Sequence, residues 1–456
     1  MASDNCLFPR LSTPVTIVDN GGLKVSAHQA PLIPGVRAWV ALGMLCFVYV
    51  LNFLDRQLLA ILAKPIQDAL GLSDGQLGLI GGLYFAVFYT VISIPIGWLA
   101  DRTNRVRVLS LACVVWSAAT MACGLARSYP ELAIARMTSG FGEAGGVPPS
   151  YAIISDYFPP GWRGRALGIY NLGPPIGAAL GVAFGAFIAV TWGWRYAFII
   201  LGGVGVLTAG VLSLTVREPR KGGLDDAARS DARTSGFLET LKMFVSHPAL
   251  MLAAFGSAAT QMITYGMGNF TTLFLMREKG MTLDEVAVYY ALVIAVGMGG
   301  GMLVSGRMLD HFSRRSKAAY GLLPAISLVL AMPLYVGFVW APGWALSLWF
   351  LLGVAFLNYF YLTASVTLVQ QEVRPDQRVM SGALLLLVMN FIGLGFGPTF
   401  VGLVSDHFHA SHPEHSLQIA LYTLVPFYFL AIVLFLFLAR VLRREERIIK
   451  NGGSKL

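Results

Sequence analysis

Hydrophobic residues in this chain run in long unbroken blocks, not in the spaced stripe of a half-buried helix or the alternation of a half-buried strand. A helix crossing a hydrocarbon layer about 30 Å thick needs about 20 apolar residues. Twelve blocks reach that length, at about 38–62, 77–100, 106–126, 130–157, 166–190, 196–215, 248–275, 286–306, 318–340, 344–371, 379–404 and 417–440. In lipid every backbone N–H and C=O must be satisfied within its own segment. The pattern therefore predicts an all-α integral membrane protein of 12 transmembrane helices. The longest polar interruption, from Arg217 to about Ser235, divides six spans from six. The expected layout is an N-terminal tail (1–36), a six-helix bundle (37–216), a linker (217–247), a second six-helix bundle (248–440) and a C-terminal tail (441–456).

Composition agrees: 56% of the 456 residues are hydrophobic and 12% charged, against about 25% charged in a soluble domain. The net charge of +9 becomes informative when cations are assigned to loops. About 26 of the 33 Lys and Arg fall on the side of the two tails, and about five fall on the other: Lys64, Arg127, Arg195, Arg277 and Lys279. That bias places both termini in the cytoplasm of a cell whose inner (plasma) membrane holds the protein, and it needs no nucleic acid partner. Residues 1–36 hold no apolar run resembling a signal-peptide core. Arg440, Arg443, Arg444, Arg447 and Lys450 follow the last block and are expected on anionic lipid headgroups.

An internal repeat supports the division into halves. Between spans two and three the chain reads Gly97, Asp101, Arg102 and Arg105, and between spans eight and nine it reads Gly306, Asp310, Arg314 and Arg315, with Gly, Asp and the second basic position at identical spacing. Gly173-Pro174 in span five is echoed by Gly397-Pro398 in span eleven. With Arg136, Gly140 and Gly142 in span four, these features make the chain look like the major facilitator superfamily, from about residue 37 to 440. Asn52, Asp55 and Arg56, then Ser73, Asp74 and Gln76, then Gly142-Glu143-Ala144, resemble the Spinster branch. The resemblance implies a proton-linked or facilitative carrier of lysophospholipids or sphingosine phosphate. It also implies that Gly97, Asp101, Arg102 and Arg105, with Gly306, Asp310 and Arg314 as a weaker copy, form a cytoplasmic gate between the halves. The Asn-x-x-Asp-Arg element also resembles organic-anion symporters.

An ionisable side chain near the bilayer centre costs about 2.5–3.5 kcal/mol on insertion scales. Four are expected at that depth: Asp55, Arg56, Arg136 and Glu143, all in spans one and four. Arg136 and Glu143 are two helical turns apart on one face, too far to pair with each other as neighbours. Opposite signs on both helices allow partners to be exchanged across a cavity, with Asn52 extending the stripe on span one. If an anionic head group takes Arg136 from the carboxylate it holds, Glu143 or Asp55, the abandoned carboxylate binds a proton, because an unpaired charge is costly away from water. The competing reading is a set of fixed salt bridges that orient helices, although buried pairs seldom stabilise on balance.

The second half carries neutral polar groups instead. Span seven has Gln261, Tyr265 and Asn269 at four-residue spacing, and span ten has Asn358 and Tyr361. Such residues either hydrogen-bond helices together or line a cavity. A wall of charge facing a neutral, aromatic wall suits a small amphipathic or anionic substrate.

Cys6, Cys46, Cys113 and Cys123 lack metal spacing, and His407, His409, His412 and His415 with Asp406 and Glu414 crowd one loop without a framed coordination motif, so no metal and no cofactor is expected. No Gly-x-x-x-x-Gly-Lys-Ser/Thr phosphate loop occurs. No His falls inside a predicted span to serve a lipid-acting enzyme. Continuous polar stripes in both halves, which a channel would favour, are absent. The expectation is a proton-coupled secondary carrier, sufficient as a monomer, with an organic-anion (sugar acid) symporter or a multidrug exporter as the alternative.

Overall fold

The structure, a computed structural model, describes residues 34–219, 237–374 and 377–450. The expected tails up to residue 33 and beyond 450, most of the linker (220–236), and the side chains of Asp101, Pro160, Phe237, Val379, Ile449 and Lys450 lie outside the described residues.

Among the described residues, ten helices are long and apolar enough to cross a membrane. They are span one (Val36–Ile61), two (Asp74–Ala100), three (Arg105–Leu125), five (Gly161–Trp192), six (Trp194–Thr215), eight (Leu283–Ser313), nine (Ala319–Trp340), ten (Trp344–Glu372), eleven (Met380–His409) and twelve (Ser416–Ile448). Span seven is Pro248–Arg277, preceded by Leu238–Ser246 at a bend of 84°. Span four is split into Tyr129–Glu143 and Val147–Tyr157. The split has a sequence cause: Gly145-Gly146 precedes Pro148-Pro149, and proline is tolerated at the start of a helix but not inside one. At the C-terminal end, helix continues to Lys450, past the expected boundary at 440.

The internal repeat extends to the irregularities. Span two breaks at Gly82 and span eight carries a π-helical turn at Val286–Tyr290. Span four breaks after Glu143 and span ten at Tyr359. Span five breaks at Asn171-Leu172, and span eleven is π-helical over Asn390–Phe396. In spans five and eleven the repeated Gly-Pro opens the second segment, where the missing proline N–H costs nothing. Spans two and eight also share a capping box, Ser73 with Gln76 and Thr282 with Glu285. That explains the Ser73-Asp74-Gly75-Gln76 element as a helix start.

The halves meet closely at the end opposite to where span one begins and span twelve finishes; the latter is the tail end and the former the far end. There spans two and eleven bring their backbones together: a Cβ on Gly82 would lie 2.7 Å from the Gly395 carbonyl oxygen. The Thr399 hydroxyl bridges the same seam, accepting from Leu83 N at 3.1 Å.

Candidate functional site

Spans one and four place the four deep charges side by side. Arg56 Nε donates to Glu143 Oε2 at 2.7 Å, and Arg136 Nη1 lies 3.4 Å from Asp55 Oδ2. Four charges thus form two pairs with no net charge. The pairs are unequal: Arg56 makes a short charge-assisted bond, whereas the Arg136 contact is long and its Nε has no partner. Hydroxyls complete the cluster. Thr120 on span three donates to Asp55 Oδ1 at 2.9 Å, and Ser139 lies 3.2 Å from Asp55 Oδ2 and 3.4 Å from Glu143 Oε1.

Exposure separates the members. The Arg56 side chain keeps 12% of its surface accessible, against 0% for Glu143, 2% for Asp55 and 3% for Arg136. Arg56 is therefore the most accessible of the four charges. Aromatic rings flank it, with its guanidinium 5.1 Å from the Phe53 ring centre, 5.2 Å from Phe85 and 4.7 Å from Tyr89. Asn52 is buried one turn away, its amide nitrogen unpaired.

Arg56 opens onto a cavity between the halves that encloses about 90 Å³. Its first-half wall includes Gln57, Phe85 and Arg136, and its second-half wall carries Tyr265, Asn269, Asn358 and Tyr359 beside apolar Met267, Ile294, Met298 and Leu351. Three of the five second-half candidates, Tyr265, Asn269 and Asn358, thus join the arginines. Asn358 also exchanges hydrogen bonds with the Tyr428 hydroxyl, at 3.0 and 3.2 Å. Gln261 and Tyr361 are buried behind that wall, Gln261 against Gly393 of the π-helical turn with its Oε1 unpaired.

At the far end an ion-pair latch crosses between the halves. Asp74 at the start of span two is held bidentately by Arg277 at the end of span seven, at 3.0 and 2.8 Å, and accepts from Ser405 of span eleven at 2.6 Å. Asp406 answers from the second half, accepting from Ser73 Oγ at 2.7 Å and Gly75 N at 3.0 Å. Beside the latch, Glu278 accepts Leu417 N at 2.8 Å and Gln418 N at 3.1 Å, and burial pushes its carboxyl above the ordinary carboxylate value. Burial likewise lowers the Lys279 ammonium, which donates to the Ala341 carbonyl at 2.7 Å.

At the tail end two clusters of ion pairs lie one in each half. Arg105 is buried and pairs with Asp156 at 2.7 Å and Glu218 at 2.8 Å, while Glu218 also caps span three by accepting Val106 N at 3.0 Å. In the second half Lys317 takes the place of Arg105: it pairs with Glu372 at 2.5 Å, and Glu446 accepts its backbone N–H at 2.7 Å. Arg102 lies over the Trp98 ring at 4.2 Å, and Asp310 and Arg314 are exposed. A Cβ on Gly97 would meet nothing within 4 Å, and one on Gly306 only the Thr363 methyl at 4.0 Å.

Sequence reasoning passed over several of these residues. Ser139 sits three residues after Arg136 and four before Glu143, so helical spacing alone could have found it. Thr120, Gln57 and Tyr359 carried no comparable signal. Arg277 entered only the loop tally, and Asp406 only the metal question.

Comparison with known proteins agrees with this geometry. Residues 45–398 match the Major Facilitator Superfamily. The chain belongs to that superfamily, whose transporters expose a central site to one side of the membrane at a time, and it is not an enzyme. It is 32% identical over 372 residues to an MFS-type efflux pump of Mycolicibacterium smegmatis (81% of this chain, 85% of that protein), and 27% identical over 368 residues to a hexuronate transporter of Bacillus subtilis (78% and 85%). Among solved structures it superposes on a bacterial homolog to the human lysosomal transporter Spinster, in an inward-facing and unoccupied conformation. That match has a TM-score of 0.83 and 30% identity, covering 90% of this chain and 98% of that one. Within the superfamily the chain is of Spinster type.

Proposed function

We propose that the chain is a proton-coupled carrier of an amphipathic anionic solute such as a lysophospholipid or sphingosine phosphate. It sits in the inner (plasma) membrane with both termini cytoplasmic and works as a monomer. The observation that carries this reading is the Arg56–Glu143 pair at the cavity edge, with a charged wall on one side and an aromatic and apolar wall on the other. An anionic head group on Arg56 competes with Glu143 for the same cation. Glu143, sealed from water, then takes a proton, so solute and proton travel together. Asp55 and Arg136 are the second pair in proton coupling and head-group binding; Asn52, Gln261, Tyr265, Asn269, Asn358 and Tyr361 shape the site. With the far-end latch closed, solute enters from the tail end. Gly97, Asp101, Arg102 and Arg105, with Gly306, Asp310 and Arg314, close that end in the opposite state.

The enclosed volume favours a second reading. About 90 Å³ is far below the roughly 300–1,000 Å³ of a typical small-molecule site. A small organic anion such as a sugar acid fits that space with less opening, and a hexuronate transporter is among the relatives; a drug exporter is the remaining alternative. Thermal stabilisation and proteoliposome flux with lysophosphatidylcholine, sphingosine phosphate, a hexuronate and a cationic drug separate them. The lysolipids are expected to stabilise the protein and to move. Movement of the sugar acid alone overturns the lipid assignment.

A further inference from the structure

The geometry points to Ser139 as a proton-relay residue that joins Asp55 and Glu143 into one shared proton site; this rests on the proton-coupled reading. Its hydroxyl lies between the two carboxylates, 3.2 Å from Asp55 Oδ2 and 3.4 Å from Glu143 Oε1. The oxygen assignments matter. Arg56 occupies the other Glu143 oxygen, Oε2, and Thr120 occupies the other Asp55 oxygen, Oδ1. Glu143 Oε1 can therefore carry a proton without displacing Arg56, and on Asp55 a proton at Oδ2 competes only with the long Arg136 contact at 3.4 Å, leaving Thr120 in place.

Ser139 is fully buried, so water does not shuttle protons around it from the cavity side. One hydroxyl has one proton and two lone pairs, and it can donate to one carboxylate while accepting from the other. With the proton on Asp55, Ser139 donates to Glu143. Transfer breaks the Asp55 O–H bond and forms a new one at Ser139 Oγ, as the original Ser139 O–H bond breaks and a Glu143 O–H bond forms. One proton has moved between carboxylates and the hydroxyl is intact; rotation about its C–O bond resets it.

The site also explains why four buried charges are kept where two would orient the helices. The ionisable groups around the relay are Asp55 and Arg56 from span one, Arg136 and Glu143 from span four, Cys123 from span three, and Tyr89 and Tyr265 from spans two and seven. In that set each carboxylate has its own arginine. A proton that can settle on either carboxylate follows whichever arginine has been drawn away.

Time-resolved infrared spectroscopy after a pH jump, on the full chain in lipid bilayers without solute, tests the relay. Asp55→Asn and Glu143→Gln assign the two protonated-carboxyl bands. In the wild type both bands are expected. In Ser139→Ala their final amplitudes should persist while exchange between them slows at least tenfold, and Ser139→Thr should return within twofold of wild type. If Ser139→Ala does not fold, Ser139→Cys replaces it under the same criteria. Exchange at the wild-type rate without the hydroxyl, or a single carboxyl band in the wild type, overturns the proposal. Because no solute is present, failure of lysolipid transport would leave this result standing, and the reverse holds too.

Discussion

At the residue scale the account turns on which cation holds which carboxylate. The sequence marked Asp55, Arg56, Arg136 and Glu143 by their cost in lipid, and spacing along span four showed that Arg136 and Glu143 could not pair as neighbours. It left Arg136 as the exchanged cation; the structure pairs Glu143 with Arg56, the more accessible arginine. Adjacent residues on span one point about 100° apart, so the choice depends on how that helix is rotated, which no local pattern encodes. Three outcomes follow. Asp55→Asn leaves the Arg136 charge buried beside a neutral amide, and thermal unfolding of the purified protein should show a loss approaching the about 3–5 kcal/mol typical of a broken buried pair. Thr120→Val, which removes one neutral donor, should cost about 1 kcal/mol. Arg56→Lys keeps the charge but loses the planar fork; binding of an anionic ligand, read by its dissociation constant, should weaken about tenfold or more.

At the element scale, the apolar blocks gave the all-helical class and the order of the spans directly, because a membrane span is a long signal with few competing readings. Span four was the exception in kind: it carries Glu131, Arg136 and Glu143 and breaks at Gly145-Gly146, so it is neither long nor apolar as a single helix. The matched irregularities in spans two and eight, four and ten, and five and eleven were only partly legible. Gly-Pro pointed to spans five and eleven, while no pattern along the chain marked the π-helical turns. Glu278 provides a test at this scale. Its carboxyl is held above the ordinary value by burial, so its favourable contribution to folding is present below the ordinary carboxylate range and is lost as pH rises through the folded value. Relative to Glu278→Gln, the wild-type protein should lose thermal stability as pH rises above the ordinary carboxylate value of about 4. A pH-independent difference in melting temperature would contradict that origin.

At the scale of the whole molecule, the chain is two similar halves latched at one end around an asymmetric site. The repeat was readable because the loop between spans two and three and the loop between spans eight and nine keep their spacing. The far-end latch was not, since Asp74 and Arg277 are 203 positions apart and meet only through folding. Even within the repeat, spacing matched Arg105 to Arg314, whereas the three-dimensional counterpart is Lys317, placed by a longer loop before span nine. Removing the latch should change the balance of conformations. In Arg277→Gln, a loss of about 1.4 kcal/mol from the far-end contact shifts the ratio of closed to open forms about tenfold. Spin-label distances between the loop joining spans one and two and the loop joining spans eleven and twelve should lengthen accordingly; an unchanged distribution would mean that apolar packing of spans two and eleven holds that end unaided.

The most direct test of the central claim, that Glu143 carries the coupled proton because Arg56 is shared with the solute, compares two fluxes in proteoliposomes bearing Glu143→Gln. Solute counterflow without a pH gradient should continue within a few-fold of wild type, while accumulation driven by a pH gradient should be lost. Accumulation at the wild-type level in that variant would contradict the account.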